Sequence, residues 1–157
     1  VMYYGIERRP ALGLVALMPI ASTVVFLVAT MRYLAIPFNM LTATILSVTV
    51  GIGIDYSIHI IHRFTEELDA GCDGVTAARI TLQRTGGALF GTTVTTASAG
   101  IALQYLSITP ILTQFGALIA LSVTYSFVAS TVVLPIVLIQ WAHWETVGGV
   151  SIPVLQR

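Results

Sequence analysis

The sequence contains no lysine, a single cysteine and few charged residues of either sign. Only 9% of its 157 residues are charged, whereas soluble domains carry about a quarter. The formal net charge is zero, so charge gives no reason to expect nucleic acid as a partner. The sequence has no nucleophile elbow, phosphate-binding loop or basic aromatic patch. These absences argue against an enzyme and against a nucleic-acid-binding protein, and we expect no cofactor.

Apolar segments dominate the sequence. Hydrophobic residues make up 56% of the chain, and the mean hydropathy is +0.91. A helix needs about 20 consecutive, mostly apolar residues to cross a bilayer. Four segments of this kind are predicted, at residues 11–31, 38–62, 86–106 and 111–141. The sequence therefore predicts an all-α, polytopic membrane helix bundle with four full transmembrane spans.

A single long polar region, residues 63–84, separates the second predicted span from the third. Within it, Asp73-Gly74 followed by apolar residues at helical spacing predicts a short amphipathic helix on the membrane surface. We expect a multi-pass protein of the plasma membrane. The positive-inside rule places the interfacial helix and the tail, residues 142–157, on the cytoplasmic side of that membrane. The rule applies because Arg32 alone falls on one side of the spans, and the other arginines fall on the opposite side: Arg8, Arg9, Arg63, Arg79, Arg84 and Arg157.

The beginning of the sequence also predicts something about its context. It has no initiator Met and no signal peptide, and its first residues are apolar. Residues 1–10 are expected to be the end of a preceding transmembrane helix and a cytoplasmic turn. We therefore expect this chain to be a piece of a longer protein.

Asp55 is the candidate functional residue, because it is the only carboxylate inside a predicted span. Placing a charged side chain near the centre of a membrane costs about 2.5 to 3.5 kcal/mol on insertion scales. Removal from water favours the protonated form of a carboxyl group, so a buried Asp55 would take up and release a proton. His59 and His62 lie one and two turns further along the same face and are candidates to continue a proton path, although histidines near the interface also commonly lie among the lipid headgroups. Tyr56 points about 100° away from Asp55 and could form a hydrogen bond with a carboxylate on a facing helix. Asp, His and His are also metal-ligand types, but no metal-site signature accompanies them, and we expect no metal.

Small and polar residues recur at helical spacing in two of the predicted spans. In the second span, steps of four connect Ala43, Ser47, Gly51, Asp55 and His59, and this stripe is expected to face protein. Small and hydroxyl side chains allow helices to approach closely and to form hydrogen bonds with one another. We expect helix packing around the relay to involve the following residues: Ser47, Gly51, Gly53, Thr92, Thr95 and Thr96. For the glycines and for most of the threonines, packing alone is a sufficient explanation.

The stretch GIGIDYSIHIIHRFTEEL, residues 51–68, resembles the fourth transmembrane helix of the resistance-nodulation-division (RND) superfamily of transporters. Its Gly51, Gly53, Asp55 and Tyr56 are similar to the GxGxDY pattern of the MMPL-type and predicted-exporter branch. Shorter elements resemble the fifth and sixth helices: Arg84-Thr85-Gly86, Thr95-Thr96 with Gly100, Gln114-Phe115-Gly116, and Leu134-Pro135. The resemblance covers the end of the second helix through the sixth helix of one half.

This resemblance implies the transmembrane half of a proton-driven exporter of lipids or other hydrophobic or amphiphilic molecules. Members of the superfamily have two six-helix halves, each with an extracytoplasmic domain between its first two helices. By resemblance, Asp55 would be the proton carrier of an antiporter, and Tyr56 its partner across the pseudo-two-fold axis. The implied partners are the other half, or a second copy of the parent chain, together with membrane lipids. The hydrophobic substrate would contact the extracytoplasmic domain, which this sequence lacks.

Two other functions are compatible with the same helices. A sterol-sensing-type bundle would bind a membrane lipid and signal without transport, and it would tolerate loss of the Asp55 charge. A membrane anchor that organises partner subunits would need Asp55 only for assembly. Fold-level similarity alone does not separate these functions from transport.

Overall fold

The computed structural model of the protein describes residues 10–147. Within this range the chain forms five α-helices: α1 (Pro10–Tyr33), α2 (Met40–Asp69), α3 (Gly74–Leu106), α4 (Pro110–Val128) and α5 (Leu134–Val147). A π-helical turn, Ala129–Val133, joins α4 to α5 without a break. The predicted all-α class is confirmed. Nearly all of the predicted segment 1–10, and the tail beyond Val147, lie outside the described residues.

Each helix boundary has a local cause in the sequence. Asn39 caps α2 through a capping box with Thr42, and the Asp73 side chain accepts a hydrogen bond from the Thr76 backbone at the start of α3. Between these two helices the chain reverses at Gly71, whose φ of +92° suits glycine. Pro110 occupies the first turn of α4, where its missing N–H costs nothing.

The short turns make successive helices run in opposite directions. The end of α2, the start of α3 and the end of α5 therefore lie together, and a Cβ placed on Gly74 would lie 3.1 Å from the Ala142 Cβ. We call this the charged end of the bundle, because it carries Arg63, Glu66, Glu67 and Arg84.

Two apolar clusters hold the helices together. The larger cluster extends from the middle of the bundle to the charged end: Leu12, Tyr56, Ile60, Phe64, Ala77, Ala78, Leu89, Val123, Leu134 and Leu138. The smaller cluster comprises Leu27, Met31, Ile45 and Leu118. Large apolar side chains, including Leu14, Phe26 and Phe38, are exposed on the outer faces of the bundle. An exposed apolar surface of this kind is expected of helices surrounded by lipid.

By length and composition, three helices of the described part can cross a membrane: Leu12–Tyr33, Met40–Asp69 and the continuous helix Pro110–His143. The predicted span at residues 86–106 lies in α3. This helix is continuous and long enough to cross a membrane, but its many threonines and glycines make it less apolar than the other three segments. The count of four spans therefore stays a prediction. Pro135 lies two residues beyond the end of the π-helical turn. Proline and π-helical turns are both common causes of helix irregularity.

The prediction of a separate surface helix between the second and third spans is wrong. Residues 63–69 continue α2, and residues 74–84 are the first turns of α3, which runs on through Gly86 and Gly87. A glycine lowers helix stability by only about 1 kcal/mol relative to alanine, which is too little to end a packed helix. The sequence analysis took the change from polar to apolar residues near residue 85 as a helix boundary, but the backbone breaks at residues 70–73 instead.

Candidate functional site

Asp55 lies midway along α2, on the outer side of the bundle. Its side chain is 66% exposed, and its Oδ1 atom lies 3.5 Å from Nε2 of His59, one helical turn further along. Among the described residues, no arginine forms an ion pair with Asp55. The pair therefore places a carboxyl group and an imidazole, both of which bind and release protons, side by side on an apolar helix.

An open groove lies beside this pair, between α2 and α3. Its volume is about 360 Å³. Most of its surface is apolar, and Asp55 and His59 lie along one side of it. The residues that line it are Ile52, Asp55, Tyr56, His59, Thr85, Ala88, Leu89, Thr92, Thr96 and Val123. The groove brings the predicted relay residues of α2 together with two of the three threonines that were predicted to pack around them.

Tyr56 has a different environment from Asp55, although the two residues are neighbours in sequence. The Tyr56 side chain is buried, and its hydroxyl lies 3.0 Å from Thr93 Oγ1 and 3.3 Å from Thr92 Oγ1. A step of one residue rotates the side chain by about 100° around the helix, which turns Tyr56 towards α3. In this chain Tyr56 therefore joins α2 to α3, and its role in proton transfer stays a prediction.

The predicted stripe of small and polar residues does share one face of α2, and the helices described in this chain leave that face uncovered. That it faces protein stays a prediction. Ala43, Ser47, Gly51, Asp55 and His59 are all exposed. The opposite face fills the bundle core: Thr42, Ile45, Thr49, Gly53, Tyr56, Ser57, Ile60 and Phe64. The larger apolar groups bury more surface than the small ones, so they occupy the interior.

The residues predicted to pack around the relay separate into three groups. Thr92 and Thr96 line the groove with Asp55. Gly53 packs on α1, where an added Cβ would lie 3.2 Å from Ile20 Cγ1. Ser47, Gly51 and Thr95 are exposed, and the two hydroxyls donate to the Ala43 and Gly91 carbonyls of their own helices.

A network of charges at the charged end was not predicted. Arg63 donates to Glu66 Oε2 at 2.9 Å and also to Glu67, and the Arg84 Nη1 atom of α3 lies 3.9 Å from Glu67 Oε1. The Glu67 side chain is only 12% exposed. The spacing of Arg63 and Glu67, four residues apart on one helix, is a sequence signal for the first of these contacts. The contact with Arg84 depends on how α3 folds back on α2.

Within residues 10–147, no group of three or more His, Cys, Asp or Glu side chains is placed to hold a metal ion. Carboxyl and imidazole groups are types of side chain that can exchange a proton, and the role of Asp55 and His59 in this chain stays a prediction.

Comparisons with known proteins identify the family. The MMPL family model matches residues 11–149. The chain is also 33% identical over 132 residues to a protein of Methanocaldococcus jannaschii named "Putative membrane protein MJ1562", a match that covers 84% of this chain and 34% of the relative. The chain thus spans about a third of the length of that relative. No solved structure matches it. The GxGxDY element of α2, the helical membrane architecture and the family match agree, and the chain belongs to the MMPL family of RND-type, transporter-like membrane proteins.

Proposed function

We propose that this chain is the transmembrane half-domain of an exporter driven by the proton motive force, in which Asp55 is the proton-coupling carboxylate. The observation that carries the proposal is the position of Asp55: midway along a 30-residue apolar helix, beside His59 and a groove. Ionisable groups inside membrane-spanning helices commonly mark proton relays or ion pathways. The transported molecules are proposed to be lipids or other hydrophobic or amphiphilic compounds, by analogy with the family.

The exposed stripe of α2 supports a further part of this proposal, namely that another half of the transporter covers it. Asp55 and His59 lie on this stripe, and a charged carboxylate facing lipid is costly. Gly87 and Gly91 of α3 are also open, since a Cβ added to either would meet no atom within 4 Å. Small residues on both helices allow close approach of further helices. The covering partner is proposed to be the second half of the parent protein or a second copy of it.

Coupling works in this proposal through the charge of Asp55. An ionised Asp55 favours a hydrated groove or a polar partner, whereas a protonated Asp55 fits an apolar contact. Alternating protonation therefore changes which packing of α2 against the covering half is favoured. The membrane face on which the charged end lies is proposed to be the cytoplasmic one, from the distribution of arginines.

The test uses the full-length protein that contains this chain, reconstituted in liposomes. Proton flux driven by an imposed pH gradient is compared between wild type, Asp55→Asn and Asp69→Asn. Asp69 is the matched control, since it lies at the end of the same helix and away from the groove. We expect Asp55→Asn to lose the flux and Asp69→Asn to keep it. Equal flux in all three proteins would refute proton coupling at Asp55 and favour the lipid-sensing bundle.

A further inference from the structure

Four titratable side chains form a row along the exposed face of α2. Asp55, His59, His62 and Glu66 follow one another at steps of four, three and four residues, which keeps them on one side of a helix. Their side chains are 66%, 59%, 44% and 48% exposed, in that order. The row covers about 16 Å of helix at 1.5 Å per residue. It begins midway along α2 and ends at the charged end.

Two contacts within the row bring a carboxyl oxygen close to an imidazole nitrogen. His59 Nε2 lies 3.5 Å from Asp55 Oδ1, and His62 Nδ1 lies 3.5 Å from Glu66 Oε1. The two histidines are three residues apart, so their side chains occupy neighbouring turns of the same face. Ordered water can bridge two polar side chains that do not touch each other directly.

Arg63 fixes the orientation of the last carboxylate of the row. Its Nη1 atom donates to Glu66 Oε2 at 2.9 Å, which leaves Oε1 as the oxygen that faces His62. The other charged groups nearby are engaged outside the row, since Arg84 of α3 contacts Glu67. Among the described residues, no basic side chain of another helix forms an ion pair with a member of the row.

We propose that this row is the path by which protons pass between Asp55 and water at the charged end, with His62 and Glu66 as its two outer members. The inference rests on the proposed function, because it assumes that Asp55 exchanges protons. It adds Glu66 to the relay residues expected from the sequence, places His62 between His59 and Glu66, and assigns the exit of the path to one end of α2. His62 and Glu66 transfer protons in this scheme and do not contact the exported molecule.

Each transfer within the row moves one proton from a donor to an acceptor and leaves the total charge unchanged, and the final release to bulk water lowers that charge by one. The protonated carboxyl of Asp55 gives its proton to Nε2 of His59, which then releases a proton from Nδ1 to the bridging water. The water passes a proton to His62, and His62 gives one from Nδ1 to Oε1 of Glu66, from which bulk water removes it. Passage in the opposite direction uses the same steps in reverse.

The test measures proton flux in liposomes that contain the full-length protein. His62→Gln and Glu66→Gln are compared with wild type, with Asp55→Asn, and with His143→Gln as a matched control. His143 lies in α5, near the charged end but outside the row. We expect the flux of both row variants to fall about a hundredfold, the low end of what a positioned proton-transfer group contributes. The control is expected to stay at the wild-type flux, and Glu66→Asp to keep most of it.

Chemical rescue separates transfer from a structural effect. Imidazole added to the buffer is expected to restore flux in His62→Ala, because it supplies the missing proton carrier, but not in Asp55→Asn. A fall in His62→Ala that imidazole does not relieve would overturn the transfer role.

The outcomes also separate this inference from the proposed function. Loss of flux in Asp55→Asn with wild-type flux in both His62→Gln and Glu66→Gln would overturn the path and leave the proposed function intact. Wild-type flux in Asp55→Asn would overturn both.

Discussion

Gly100 of α3 and Gly116 of α4 meet backbone to backbone. A Cβ added to Gly100 would lie 2.7 Å from the Gly116 carbonyl oxygen and 2.9 Å from the Ala120 backbone nitrogen. Both glycines are buried. The contact fixes how closely α3 approaches α4 at the end of the bundle opposite the charged end, and α3 carries one wall of the groove beside Asp55.

Gly100→Ala is expected to destabilise the bundle by about 1 to 3 kcal/mol, the usual cost of forcing extra volume into a packed contact. Backbone atoms stand in the way of the new methyl group and have no rotamer through which to move aside. The control is Gly13→Ala in α1, where an added Cβ meets no atom within 4 Å. This control should be neutral or slightly stabilising, because alanine favours helix more than glycine does. Thermal unfolding in detergent measures both, and equal stability of the two variants would contradict the tight crossing.

Tyr56→Phe is expected to loosen the contact between α2 and α3. The substitution removes a hydroxyl that lies 3.0 Å from Thr93 Oγ1, and a hydrogen bond of this kind contributes about 0.5 to 1.5 kcal/mol. Thr93 keeps its bond to the Leu89 carbonyl, so no buried hydroxyl is left without a partner. A double-mutant cycle with Thr93→Val measures the coupling. Additive effects of the two substitutions would show that the two side chains do not interact.

Glu67→Gln is expected to be more harmful than Arg84→Gln, although the two residues contact each other. Glu67 is 12% exposed and accepts from Arg63, so the substitution removes the charge of a partly buried acceptor of the Arg63 guanidinium, at a cost of about 1 to 3 kcal/mol. Arg84 is 67% exposed and 3.9 Å from Glu67, and exposed pairs contribute about 0 to 1 kcal/mol. Unfolding free energies of the two variants give the comparison. A larger loss in Arg84→Gln would reverse this assignment.

Asp73 is expected to make the start of α3 sensitive to acid. Hydrogen bonds from Thr76, first from its side chain and then from its backbone, lower the pKa of Asp73 below its ordinary value of 3.8. Because the folded pKa is the lower one, ionised Asp73 stabilises the folded state above the unfolded pKa, and this contribution disappears as the pH falls through the folded pKa.

Asp73→Asn provides the measurement for this prediction, since asparagine also caps helices but does not titrate in this range. Stability is followed from pH 6 to below the ordinary pKa of 3.8 in wild type and variant. The difference between the two proteins is expected to shrink as the pH falls. A difference that stays constant with pH would mean that the cap does not depend on ionisation.

The pattern of residues along α2 predicted which side chains share a face, but not which face turns inwards. Ala43, Ser47, Gly51 and Asp55 do lie on one side, as their spacing of four requires. Periodicity contains no reference to the neighbouring helices, so it cannot assign that side to the core or to the outside. The face that carries Ile45, Ile60 and Phe64 packs in the core, because it buries more apolar area than the opposite face.

The sequence by itself determined the class of this protein and the place of its candidate site. Its apolar length and scarcity of charge specify membrane helices, and the GxGxDY element places Asp55 in the second predicted span. These features depend on composition and on residues within one or two turns of each other, which a linear sequence records directly.

Tertiary structure alone decided the contacts between helices. It brought the Tyr56 hydroxyl to Thr93, Arg84 to Glu67, and Gly100 to Gly116. It also merged the predicted surface helix into α3 and left Asp55 and His59 on an open face. In each of the three contacting pairs, the two residues lie in different helices. Their contact depends on how the helices pack against one another, and local spacing does not specify that packing.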